Sequence, residues 1–143
     1  MFIAGIVSGF WNPLHEGHID YINEAKSKCN YLYCIVNNDV QVDIKKSVKL
    51  LNQNTRLYVC KNLKAVDEAL ISIDEDITVA KTLEMIANKE ECKLVFFKGG
   101  DRRDDASMPK NELEICKKFN IELIYGIGGF DKKNSSSDIK KAL

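Results

Sequence analysis

The sequence predicts an α/β fold: one domain built on a five-stranded parallel sheet flanked by helices. Three observations lead there. Short apolar runs of strand length recur along the chain. Segments with helical spacing, roughly 10–15 residues long, separate them, the pattern of right-handed βαβ units. No repeat, low-complexity segment or linker interrupts the alternation, and 143 residues are enough to bury a core as a single domain, 1–143.

Phe2 to Val7 is a continuous apolar run, as expected of a strand buried on both faces. From Glu16 to Cys29, Ile19, Ile22 and Ala25, with Tyr21 beside them, follow helical spacing. Tyr31 to Val36 is a second strand, ended by the turn formers Asn37, Asn38 and Asp39. Asp39 to Leu51 is the least regular stretch. Asn54 to Leu63 reads as a helix with Leu57, Cys60 and Leu63 inward, and Glu68 to Ile73 as a third strand. Asp76 is placed to cap a helix reaching Asn88, with Val79, Leu83, Met85 and Ile86 on its inner face. Lys93 to Lys98 is a fourth strand, ending in Gly99, Gly100 and Asp101. Ser107 and Pro109 announce a helix to about Phe119, Ile121 to Tyr125 is a fifth strand, and Ser135 to Leu143 is a final short helix. The whole is a Rossmann-like domain, whose ligand site lies beyond the carboxyl ends of the strands.

Composition narrows the function. Lys+Arg and Asp+Glu both number 21, which argues against a protein that coats nucleic acid, although a local basic pocket is compatible with zero net charge. No apolar run approaches the ~18–20 residues of a membrane span, and the start MFIAGIVSGFW lacks the basic beginning of a signal peptide. A cytoplasmic protein is expected. The five cysteines form no C-x-x-C pair and mostly lie in apolar stretches, so they read as small buried hydrophobes.

Both histidines of the chain, His15 and His18, fall in GFWNPLHEGH, after strand one and at the start of the first helix. Spaced i and i+3, they share one face there, where unpaired amides and the positive dipole end attract anions. Gly17 removes a side chain so that a phosphate can approach the backbone. The alternatives are a helix cap and a metal pair, the latter short of the ligands a closed zinc site needs.

GFWNPLHEGH resembles the H-x-G-H signature of the nucleotidylyltransferase superfamily that includes cytidylyltransferases and adenylyltransferases: Gly9, Trp11, Asn12, His15, Gly17 and His18 match its places, with Phe10 in the same loop. KNSSSDI (Lys133 to Ile139) is similar to the family's serine/threonine-rich second signature. FFKGGDR (Phe96 to Arg102) is similar to the K-G-G-D segment of the heptose-phosphate adenylyltransferase branch, and glycerol-phosphate cytidylyltransferases carry a related G-D-D. Asn12 stands where many relatives carry Asp, and Lys132, Lys133 and Asn134 stand where many carry an arginine and a glycine.

The resemblance implies transfer of AMP or CMP from an NTP to a phosphorylated sugar or alcohol, with release of pyrophosphate and no covalent intermediate. By motif position His18 would stabilise the α-phosphate in the transition state and His15 would hold the β- or γ-phosphate. Ser135, Ser136 and Ser137 would clasp the terminal phosphates, or simply cap a helix. Lys45 or Lys46 would reach the phosphates of both substrates, one of the pair pointing inward; a solvated charge run is the alternative. Arg56 falls where relatives keep an arginine, assigned with Lys45 and Arg102 to the acceptor. Gly99 and Asp101 would receive base or ribose, against the alternative of a tight turn, and Trp11 would either stack near the acceptor or cover the core. Gly126, Gly128 and Gly129 read as a loop over the nucleotide. Mg²⁺ would be held mainly by the NTP, and relatives are commonly dimers, which implies a homodimer. A non-catalytic nucleotide-binding or regulatory domain of the same fold is the rival reading.

Overall fold

The computed structural model describes residues 1–100 and 104–128. Its strands are β1 (Ile3–Gly9), β2 (Tyr31–Val36), β3 (Glu68–Ile71), β4 (Lys93–Gly99) and β5 (Glu122–Ile127); its helices are α1 (Glu16–Ser27), α2 (Asp39–Ile44), α3 (Gln53–Lys61), α4 (Ala80–Lys89) and α5 (Lys110–Lys118), with a 3-10 turn at Asp105–Ser107. The sheet order is β3-β2-β1-β4-β5 and every pair is parallel. The doubly wound fold expected from the alternation is the one that forms. The helix anticipated over Ser135 to Leu143 lies outside the described residues, and no helix among the described residues is long and apolar enough to cross a membrane.

The sheet divides the core into two layers because successive strand residues point to opposite faces. Ile6, Tyr33, Ile35 and Phe96 face Leu83 and Ile86 of α4 and Cys116 of α5. Val7, Leu32, Cys34, Val36, Val95 and Phe97 face Tyr21, Ile22 and Ala25 of α1 and Cys60 of α3. β1, β2 and β4 thus carry apolar side chains both ways, which is why they read as unbroken runs. All five cysteines are free; burial pushes the Cys116 thiol up to about 12, and a hydrogen bond with Cys60, together with burial, raises that of Cys34.

Four expectations need correction. The irregular stretch after β2 holds α2, capped by Asn38, whose side chain accepts from Gln41 N–H at 2.9 Å while Gln41 Oε1 accepts from Asn38 N–H at 2.8 Å. Asp76 does not cap α4: its carboxylate takes the Thr78 N–H and hydroxyl, and the buried Asp74 takes the Lys81 and Thr82 N–H groups at 2.7 and 3.0 Å. A capping carboxylate needs only to reach the first-turn amides, and Asp74 does so from outside the N-cap position. Ile19 and Met85 are solvent-facing. Gly126, expected in the loop beyond the fifth strand, is a residue of β5 with φ of 74°.

α1 and β3 are tied at their lower ends by Asp67, which accepts from Lys26 Nζ at 2.6 Å and from Leu32 N–H at 2.8 Å. Burial works against the carboxylate there, but those two donors outweigh it and hold the Asp67 carboxyl below its usual value. Because the folded form binds this proton less readily than the unfolded chain, the contribution is complete above the ordinary aspartate value of 3.8 and is lost as pH falls below it. Asp67→Asn is expected to flatten the acid limb of the melting-temperature profile, read by thermal unfolding across the acid range.

Candidate active site at the carboxyl end of the first strand

β1 lies at the point where the chain reverses its direction of travel across the sheet, with β2 on one side and β4 on the other; loops leaving such strands part and open a crevice. Gly9 ends β1, and a Cβ there would stand 2.8 Å from the Trp11 indole. Glycine is required because the indole lies flat against the chain. Trp11 has φ of 51°, is 2% exposed, and donates from Nε1 to Ile35 O at 3.0 Å. It covers the core, which resolves the two readings left open for it, and it is not at the surface where a base or acceptor would lie.

Asn12 is fully buried. Its Nδ2 donates to Val48 O at 2.9 Å, and its Oδ1 accepts from Leu50 N–H and Leu51 N–H at 2.9 and 3.1 Å. One side chain must both donate and accept, which an amide does and a carboxylate does not. That accounts for Asn where many relatives carry Asp.

Arg56 departs from its expected place at an acceptor. It is fully buried: Nε donates to Leu51 O at 3.0 Å, Nη1 to Phe10 O at 2.7 Å and Asn37 O at 2.5 Å, and Nη2 to Asp39 Oδ1 at 2.8 Å. The guanidinium is occupied in fastening the loops after β1 and β2 to α2 and α3, and a ligand has no access to it.

The histidines begin α1. His15 is the N-cap: its Nδ1 accepts from Gly17 N–H at 3.1 Å, and His18 Nδ1 accepts from His15 N–H at 3.2 Å. The capping alternative and the phosphate reading are therefore compatible, since capping engages only Nδ1. With Nδ1 accepting on both rings, the proton of each neutral imidazole sits on Nε2, making each Nε2–H a donor. The rings stack with centroids 3.7 Å apart, and both are half-buried. Gly17, expected to admit a phosphate, supplies the N–H that fixes the His15 ring. The structure thus sets two imidazoles side by side at the positive end of a twelve-residue helix, with His15 Nε2 itself buried, and such a helix end favours negative charge.

Of the lysine pair, Lys45 is the one brought to the β1 loop, its Nζ lying 4.4 Å from the Phe10 ring centroid. Both lysines are exposed, and Lys46, with φ of 58°, lies where the chain turns out of α2; the contact with Phe10 distinguishes Lys45 within the pair that the sequence left undivided. Gly99 ends β4 beside a register shift that follows Phe97, on the same sheet edge as the histidines, and Gly100 is buried after it. Asp101, Arg102, Ser135, Ser136 and Ser137 lie outside the described residues, as does Gly129. A separate cavity of about 430 Å³ opens between α5 and β5, lined by Leu113, Cys116 and Leu123 among others; none of the β1-loop residues lines it.

Sequence reasoning missed Tyr21, Asn38 and Gln41 as parts of the scaffold. Tyr21 donates its hydroxyl to Phe97 O at 2.5 Å. Asn38 Nδ2 donates to Ser72 O and Asp74 O, and Gln41 Nε2 to Asp76 O and Thr78 O. The legible signal was Asn at a turn followed three residues later by Gln, a capping box without its usual hydroxyl.

Two substitutions test this scaffold. Arg56→Ala, by leaving Asp39 and three carbonyls without their donor, is expected to lower unfolding free energy by about 3–5 kcal/mol in urea titrations, and Arg56→Lys recovers little because an ammonium cannot fork. Asn12→Asp sets a carboxylate against Val48 O and is expected to cost about 1–3 kcal/mol, read as a fall in melting temperature.

The cytidylyltransferase-like family model matches residues 6–142. The chain is 37% identical over 120 residues to the FAD synthase of Methanothermus fervidus, covering 82% of this chain and 76% of the relative. It is 35% identical over 109 residues to the FAD synthase of Natrialba magadii, covering 76% and 68%. With two further archaeal FAD synthases the matched segment spans 52% and 51% of the relative's length. Among solved structures, the lipopolysaccharide core biosynthesis protein of Thermoplasma volcanium superposes with a TM-score of 0.70 at 22% identity, over 94% of this chain and all of the other, a likeness of fold. The chain belongs to the cytidylyltransferase-like family of nucleotidyltransferases.

Proposed function

We propose that this enzyme transfers AMP from ATP to the phosphate of FMN, forming FAD and releasing pyrophosphate. The observation that carries the transfer chemistry is the stacked His15–His18 pair at the start of α1, each ring fixed through Nδ1, which leaves Nε2 as its donor atom. The similarity to FAD synthases supports the choice of ATP and FMN. FMN is a phosphorylated alcohol, the acceptor class the sequence motifs imply, and its apolar ring system is compatible with the Phe10 edge beside Lys45.

In this reading an FMN phosphate oxygen attacks the α-phosphorus in line; the bond to it forms as the α–β bridging bond breaks and pyrophosphate leaves. His18 donates to the α-phosphate oxygens as charge grows on them, and His15 to the β- or γ-phosphate. Lys45 draws both substrates' phosphates together, Gly99 and Asp101 receive the adenosine, Ser135, Ser136 and Ser137 hold the terminal phosphates, and Arg102 meets the acceptor phosphate. Catalysis is positioning and charge stabilisation. Mg²⁺ carried mainly on the triphosphate would neutralise its charge. We take the working form to be a cytoplasmic homodimer.

The test is product formation with ATP or CTP, each paired with FMN, glycerol 3-phosphate or a heptose 1-phosphate, reading pyrophosphate and FAD. ATP with FMN is expected to give both. Pyrophosphate only with another pair would overturn the substrate assignment, and release with none would favour a non-catalytic binder. His18→Ala is expected to lower turnover by roughly 10²–10⁴, and so is His18→Gln, which can still accept from His15 N–H and keeps the cap.

A further inference from the structure

An imidazole is attached through a torsion with broad, shallow minima, so its orientation is set by its neighbours. His18 has three. Its Nδ1 is held by His15 N–H at 3.2 Å, its ring lies against His15 at 3.7 Å, and the Trp11 indole meets it with ring planes at 87° and centroids 5.1 Å apart. The first two belong to the same short segment as His18 and move with it. The third does not.

Trp11 is anchored to the sheet. Its Nε1–H is bonded to Ile35 O in β2, and its ring stacks on Tyr21 at 6.2 Å, whose hydroxyl is bonded to Phe97 O in β4. Gly9 leaves the room in which the indole lies. A chain of contacts therefore runs from the strands on both sides of β1, through two aromatic rings, to the imidazole. From this geometry we infer that Trp11 is a positioning residue: it touches no substrate, and it sets the direction in which His18 presents its Nε2–H to the transferred phosphate. This rests on the role given to His18 above. An edge-to-face pair is directional, so the indole holds the angle of the imidazole as well as filling space.

Only two histidines and one tryptophan are present in the chain, so the contact can be read without assignment ambiguity. In the wild-type protein with isotope-labelled histidine, one imidazole is expected to show ring protons displaced by the indole ring current. That displacement should vanish in Trp11→Leu and persist in part in Trp11→Phe. In FAD-forming turnover, Trp11→Leu is expected to lower kcat by roughly 10–100-fold, the scale of a misplaced catalytic group. KM for ATP should change by less than about threefold, because ground-state binding is left alone. Trp11→Phe, which restores an aromatic face, should recover most of kcat.

Absence of a displaced histidine signal in the wild type overturns the inference, and needs no variant to fold. So does unchanged kcat in a Trp11→Leu protein whose circular dichroism is native, or a loss that falls equally on KM and is not recovered by Trp11→Phe. A His18→Ala enzyme with normal turnover would instead defeat the catalytic reading of His18, leaving the ring-current signal intact, so the two failures are separable.

Discussion

The geometry of the site depends on one buried guanidinium. Arg56 is without solvent exposure, and its four hydrogen bonds run to the β1 loop at Phe10, the end of β2 at Asn37, the first residue of α2 at Asp39 and the approach to α3 at Leu51. Loops after parallel strands end in backbone carbonyls that no neighbouring strand satisfies. A planar cation with donors in fixed directions can satisfy several at once. Asp39 balances the charge at 2.8 Å, which makes burial of the cation tolerable. Asn12 extends the same device from the other side, binding Val48, Leu50 and Leu51 through one amide. The β1 loop is therefore rigid before any ligand arrives.

On that rigid loop the two histidines have a double function. Each uses Nδ1 to close the open end of α1, so the groups that would meet phosphate are also those that terminate the helix. The economy has a physical basis. A helix start needs acceptors for its amides, a phosphate needs donors, and an imidazole offers one of each on opposite sides of a single ring. Placing the His18 ring against Trp11, and Trp11 against Tyr21, connects this end of α1 to the sheet.

The second layer of support is made of amides. Asn38 and Gln41 cap α2 reciprocally and hold the chain between β3 and α4 through four carbonyls. Neutral side chains with both donors and acceptors suit a buried junction of loops, because each polar atom can be satisfied without leaving a charge behind. α2 has only six residues, too few to be stable by propensity; these tertiary bonds are what make it a helix, and it in turn carries Lys45 to the ring of Phe10.

The strands and long helices were legible because burial leaves a periodic imprint: β1, β2 and β4 are apolar on both faces, and α4 and α5 show their inner residues at helical spacing. The order β3-β2-β1-β4-β5 was not legible: right-handed crossovers fix which face each helix covers, and only the packing of the strands decided that the chain reverses at β1 and opens the crevice there. His15 and His18 were legible as a pair, since three residues at a helix start leave little freedom in where two side chains can go. Arg56 and Trp11 were not. A single arginine near a helix start reads alike whether it binds a ligand or fills a junction of loops, and only carbonyls brought together from residues far apart in the chain decide between them. Local spacing thus determined the elements and the face on which the histidines stand. Long-range contacts decided which polar groups are held inside and which are left to act, because the partners that satisfy a buried group lie on other elements and leave no mark on its own neighbourhood.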